Sequence, residues 1–334
     1  MKRFFILFII LFLAGCKNDA DITQEEVDLI LYSGHSEELT NFYVKEFQEQ
    51  SQLKVKTILG SGNEMMDVAK TNKDTLPGDV IIGVGSDTLD LNNDMLAPYS
   101  SKILDKIDDG YDNLDKSWIG DFKIPMVIIY NKQIMLEKDI PTTWDDLLNE
   151  KFKGQIAMGE PTVSGSTYTQ LVTLLRRFKE ENMGWDFIED LLVNIDGETL
   201  DNTLDIPLKV HEGEYMLGIT LESYAYEYLQ QNNNLGFVYP DDGTTARSSG
   251  VAILKDGNHS ENAEKFVSFI LSAKAQQAVA ENFYRRPTHV EVDDPPELAP
   301  SEEISFVEYD YQWSTTYHSQ ILEKWVEIKK SIGD

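Results

Sequence analysis

The chain is poor in cysteine and in positive charge, and each shortage excludes a class of protein. A single cysteine, Cys16, permits no intramolecular disulfide and no Cys-based zinc cluster. Basic residues number 29 against 58 acidic ones, a formal net charge of -29. A surface of that sign repels phosphate backbones and anionic lipid, which argues against nucleic-acid binding. It still admits a small anion, because a few backbone N–H groups can overrule the global charge locally. There is no G-x-G-x-x-G and no G-x-S-x-G, and Gly83-Val84-Gly85-Ser86 lacks the third glycine and the lysine of a phosphate cradle. The five histidines are scattered, without the His-x-x-x-His spacing of a zinc site, so Ser-His-Asp and zinc chemistry lack support. No apolar run reaches the ~18 residues of a spanning helix. What remains is a large core: 41% of 334 residues are hydrophobic and 10% aromatic, enough for two domains.

Residues 1–16 read MKRFFILFIILFLAGC. Lys2 and Arg3 precede ten apolar residues, Phe4 to Leu13, too few to cross a ~30 Å hydrocarbon layer, so the segment reads as a secretion signal. Leu13-Ala14-Gly15-Cys16 resembles the lipobox of bacterial lipoproteins, in which the cysteine is lipidated and becomes the first mature residue. The alternative is an ordinary signal peptide with an incidental Cys16. The expectation is an exported chain, lipid-anchored at the cell envelope through a tether at 17–26. Loss of Lys2 and Arg3 takes the net charge to -31, so the lipid would hold without electrostatic help.

Beyond the tether, strand-like runs alternate with helical periodicity. VDLILY (27–32), LKVKTIL (53–59) and DVIIG (79–83) read as strands, and Leu39, Phe42, Tyr43 and Phe47 recur at helical spacing. Three strand–loop–helix units in ~90 residues predict an α/β lobe with a mainly parallel sheet. The pattern restarts after Trp118 with PMVIIY (125–130), a helix over 167–179 and the strand YMLGITL (215–221). Strands at 235–239 and 251–254 follow, then a helix at 263–271 and an acidic, proline-containing stretch at 287–300.

Polar Gly/Ser loops recur between these strands and helices: Ser33-Gly34-His35-Ser36, Ser61-Gly62-Asn63, Gly85-Ser86 and Ser164-Gly165-Ser166-Thr167. Each puts hydroxyls and N–H groups at a helix N-terminus, where partial positive charge favours an anion. Helix capping alone accounts for any one of them. Four, spread over both halves, point to a ligand cleft beyond the strands' carboxyl ends. Tyr224, Tyr226 and Tyr228 form a period-two run, read as packing or as one phenol facing the cleft beside Glu222. Arg247 is either a surface arginine or a bidentate partner for an anion. Asp196 is a turn carboxylate or an acceptor for ligand hydroxyls.

With these residues in view, the whole mature chain resembles bacterial solute-binding proteins that feed ATP-driven importers, and among them the ferric-ion and sugar-phosphate group. LILYSGH, KVKTILGSGNEMM, GDVIIGVGSDTL and LAPYSS carry it in the first lobe. GQIAMGEPTVSGSTYTQL, VNIDGETLDNT, EGEYMLGITLESYA and FVYPDDGT carry it in the second, before the return through SSGVAILKDGNHSENAEKFVSFILSAKAQQ. The resemblance implies an α/β, two-lobe periplasmic-binding-protein-like fold (type II) with two crossover strands and a ligand cleft between lobes. Lobe one would hold 27–121 and 249–334, and lobe two 122–248. It implies a monomeric binding protein without catalysis or cofactor, partnered by a permease and its ATPase. Iron-binding members carry two adjacent tyrosines where this chain has Ser223-Tyr224, and an arginine pattern where it has Lys123-Ile124-Pro125-Met126. Members that bind phosphorylated sugars or phosphonates are the nearer likeness. That likeness puts Ser33, Ser61, Ser86, Ser164, Ser166 and Thr167 on a phosphate, beside the Gly62 and Gly165 backbone and His35. It puts Asp196 and Glu222 on hydroxyls or an amine of a small anionic organic ligand. Two alternatives stay open: Fe(III) binding, and a secreted phosphate-ester hydrolase.

Overall fold

The computed structural model describes residues 27–179, 182–231 and 234–333. The expected signal segment, Cys16 and the tether lie outside them. β1 (Leu29–Ser33) is buried on both faces, as a continuous apolar run requires. It pairs in parallel with β2 (Val55–Leu59) and β3 (Val80–Gly85). Between them lie α1 (Glu37–Ser51), which buries Leu39, Tyr43 and Phe47 along one stripe, and α2 (Gly62–Asn72). α3 (Ser86–Leu91) follows β3, and β4 (Leu96–Ala97) adds an edge.

β5 (Trp118–Asn131) is the strand that joins the two halves. Its first part pairs antiparallel with β9 (Ala246–Leu254), up to Pro125 opposite Ala246. From Met126 it pairs instead with β7 (Leu217–Leu221) and β8 (Leu235–Val238). Pro125, which has no N–H to give a ladder, falls where the strand leaves one set of partners for the other. β6 (Ile156–Ala157) completes the order β2-β1-β3-β9-β5-β7-β6, and β10 (Arg286–Pro287) pairs with the first part of β5.

The second half carries α4 (Gly165–Arg177), α5 (Trp185–Asn194), α6 (Asp205–Glu212) and α7 (Glu222–Gln231). α8 (Ser260–Ile270) and α9 (Ala273–Phe283) return to the first half, where Phe266 and Val267 pack with Leu29 and Val80. The three tyrosines at 224, 226 and 228 lie on α7, where helical geometry sends period-two residues to different faces. α10 (Tyr311–Thr316) and α11 (His318–Gly333) end the chain.

The last helix departs from the sequence expectation that 249–334 stays with lobe one. Ile321 and Trp325 enter the second core with Leu171, Ile188 and Leu191. Trp325 Nε1 donates to Glu160 at 2.9 Å, and Lys329 Nζ donates to the same carboxylate at 2.7 Å. An amphipathic helix must bury its stripe, and the face it finds is that of α4 and α5.

Candidate ligand-binding cleft

Three loops at the carboxyl ends of β1, β2 and β3 are packed backbone to backbone. A Cβ at Gly34 would stand 2.4 Å from Gly83 O and 2.8 Å from Gly62 Cα. Glycine is required there by contact, and at Gly83 also by its φ of +70°. Ser61 caps α2 in a reciprocal capping box with Glu64. The Ser33 hydroxyl is buried and bonded to that of Thr40 at 2.7 Å. His35 Nε2 meets Asp121 Oδ2 at 2.8 Å, and the other Asp121 oxygen accepts from Ser249 Oγ. A register shift between Gly120 and Phe122 accompanies Asp121, whose side chain is fully buried.

Across the cleft, Ser164 caps α4 by accepting from Thr167 N, and its hydroxyl bonds that of Ser166 at 2.9 Å. The lobes touch here: a Cβ at Gly165 would lie 3.7 Å from Asn63 Oδ1 and 3.8 Å from Thr88 Oγ1. Asn63, Asp87 and Thr88 from one side, with Ser164, Gly165 and Tyr168 from the other, line a pocket that Arg247 also reaches.

Arg247 is buried at 5% exposure. Its Nη2 pairs with Asp87 Oδ2 at 2.7 Å, and its Nε donates to Ser86 Oγ at 3.1 Å. Nη1 donates to Thr169 Oγ1 and to Gly165 O. Burial is the largest influence and works against the guanidinium charge, but Asp87 together with Tyr309, Tyr311 and Tyr168 outweighs it, and the group's pKa lies above its ordinary value. Asp87 in turn accepts from Tyr309 OH at 2.9 Å and from Ser314 Oγ at 3.0 Å. Burial pushes the neighbouring Tyr168 phenol up to about 12.

The structure therefore brings Ser164, Gly165 and Arg247 to one pocket, with Ser86 and Ser166 bonded to its walls. Ser61, Gly62 and His35 belong to the adjoining loop cluster. Others sit elsewhere. Thr167 Oγ1 is buried against Gly159 and has no hydrogen-bond partner among the described residues. Asp196 is an exposed left-handed turn residue with φ 53°, 3.7 Å from Lys153. Glu222 is buried, and its carboxylate takes a bidentate contact from Arg286 together with the Tyr239 hydroxyl. Tyr224 is packed on the second core, and burial raises its phenol pKa. Sequence reasoning took in Asp87 only within the Gly-Ser-Asp of 85–87, without a role of its own, and missed Asp121, Tyr309 and Ser314. The one legible signal was an isolated acid in an otherwise apolar strand, Asp121.

Burial also holds the His318 and His289 imidazoles below their ordinary pKa. The unfolded chain then takes up protons from about pH 6.5 downward that the folded chain resists, so this contribution to stability falls with pH. We expect His318→Gln to lose less melting temperature than the parent between pH 7.5 and 5.5. Equal slopes in calorimetric melts would contradict this.

Comparison with known proteins agrees with this architecture. The bacterial extracellular solute-binding protein family model matches residues 76–314. Iron uptake protein A1 of Synechocystis sp. is 26% identical over 290 residues, covering 80% of this chain and 78% of its own. Among solved structures, the periplasmic binding protein AfuA of Actinobacillus pleuropneumoniae, with fructose-6-phosphate bound, superposes with a TM-score of 0.80 at 22% identity. That match covers 91% of this chain and 99% of AfuA. Iron-bound HitA of Pseudomonas aeruginosa gives 0.77 at 22%, covering 92% and 100%. The fold is that of the type II periplasmic binding proteins. The chain belongs to the bacterial extracellular solute-binding protein family.

Proposed function

We propose that this chain captures a small phosphorylated organic solute by closing its lobes and passes it, without catalysis, to an ABC permease. In this reading it is exported, monomeric and lipid-anchored through Cys16. The supporting observation is the meeting of the α4 N-terminus, with its Ser164 and Ser166 hydroxyls, and the buried Arg247 in one pocket between the lobes. Helix N-termini and guanidinium groups favour anions locally, as a chain of net charge -29 requires. The phosphate-bearing ligand of AfuA is in keeping with it.

Fe(III) is the second reading, favoured by the likeness to Iron uptake protein A1 and to HitA. Against it, only Tyr224 stands where iron-binding members carry a tyrosine pair, and burial disfavours its phenolate. His35 Nε2 is committed to Asp121. Titration calorimetry with fructose-6-phosphate, an aminoalkylphosphonate and ferric citrate separates the two. We expect a phosphorylated compound to bind, and Ser166→Ala to weaken it about 10-fold through one lost charge-assisted hydrogen bond. Coloured iron binding abolished by Tyr224→Phe, with no heat from phosphorylated compounds, would establish iron instead.

A further inference from the structure

The contacts that join the two lobes are made by the chain's own buried groups. Asp87 opens α3 in the first lobe, Arg247 lies on β9, and Thr169 and Gly165 belong to α4 in the second. Arg247 reaches all three at once. The segment 309–318 then lies across the junction. Tyr309 and Ser314 both donate to Asp87, while Tyr168 OH on α4 donates to Ser314 O at 2.7 Å. The Tyr311 ring is 5.7 Å from Trp118 in the core of the first lobe, and the His318 ring is 4.5 Å from Tyr168 in the second. Tyr311 also packs against the second core, so one residue touches both.

We propose that Asp87, Arg247 and the segment 309–318 form an inter-lobe latch, in which Asp87 is a positioning residue that biases the cleft toward closure whatever the solute. The inference rests on the reading of the cleft as one that closes on a solute. Asp87, just past the end of β3, stands beside Arg247 on the paired β9 and holds the guanidinium aimed at Gly165 O and Thr169 Oγ1 of the second lobe. Opening would strip a buried charged group of those two acceptors. The strength of these contacts therefore enters the closed fraction directly. Apparent affinity is the intrinsic affinity scaled by that fraction, so a tenfold fall in closed population weakens binding tenfold. Asp87→Asn removes the charge that faces Arg247 and one of the two oxygens that accept from Tyr309 and Ser314. Tyr309→Phe removes one donor and leaves both charges in place.

The test measures distance and needs no solute, so its outcome is separate from the choice of ligand. Spin labels are placed at Leu114→Cys, on the first lobe, and Leu204→Cys, on the second; both sites are exposed. The full chain carries Cys16→Ser so that only these two positions label. Pulsed dipolar spectroscopy should give one narrow distance for this parent. Asp87→Asn should move or broaden it by more than about 2 Å, the scale of genuine rearrangement. Tyr309→Phe should fall between the two, and near-UV circular dichroism establishes that each variant is folded. Identical distributions for folded parent and variants would overturn the latch, as would a parent already as broad as Asp87→Asn.

Discussion

Arg286→Met should lower the melting temperature by roughly 10 °C, the consequence of about 3–5 kcal/mol lost when one member of a buried ion pair is removed. Arg286 is fully buried, and its Nε and Nη2 donate to Glu222 at 2.8–3.0 Å. Nη2 also donates to Ala299 O at 2.7 Å, and Nη1 meets Asp294 at 3.1 Å. One guanidinium thus ties α7 to the acidic stretch after β10. Glu222→Gln should be destabilising for the same reason, and should leave solute choice unchanged because its oxygens face Arg286 and Tyr239. Arg286→Met combined with Glu222→Leu should recover part of the loss, since the buried Glu222 charge is no longer left without its partner and only the partly exposed Asp294 loses an ion pair. Thermal melts and solute titrations of the three variants check this. A Glu222→Gln chain of parental stability and altered solute choice would return Glu222 to the ligand.

Gly83→Ala should cost about 2–4 kcal/mol, combining the penalty of a left-handed residue with a backbone clash. The new Cβ would stand 2.5 Å from His35 N and 2.7 Å from Gly34 C, both main-chain atoms that no rotamer change can move aside. Relief requires the β1 and β3 loops to separate. That displaces His35 from Asp121 and the Ser61-Gly62 loop from its neighbours, so solute affinity should fall together with stability. Gly110→Ala is the control: its φ is +88° but a Cβ there meets nothing within 4 Å among the described residues, so only the conformational penalty of about 1–2 kcal/mol applies. Denaturant titrations in which both variants lose equally would show that the close packing of the three loops contributes nothing.

Most strands of the first half were legible because each is a short apolar run closed by glycine and serine. β1, β2 and β3 fall within a few residues of LILY, VKTIL and VIIG. The helices α5, α6 and α9 were not read from the pattern, and β5 proved longer than PMVIIY, beginning at Trp118. Its first part, WIGDFK, alternates too irregularly to announce a strand, because a register shift at Asp121 breaks the period. The capping serines were readable as caps, since Ser36, Ser61 and Ser164 act on backbone a few residues away.

Sequence by itself determined what local chemistry controls: an acidic chain without cysteine pairs, an α/β succession, and hydroxyl-bearing loops at helix starts. Tertiary structure alone decided which charges are free. Glu222 and Arg286 are 64 residues apart, and Asp87 and Arg247 160, and nothing local marks either pair. Nor does the chain announce that its last helix lies on the second core rather than the first. Pairing of buried charges and docking of an amphipathic stripe are settled by the low dielectric and the shape of the assembled interior, which exist only once distant segments have met.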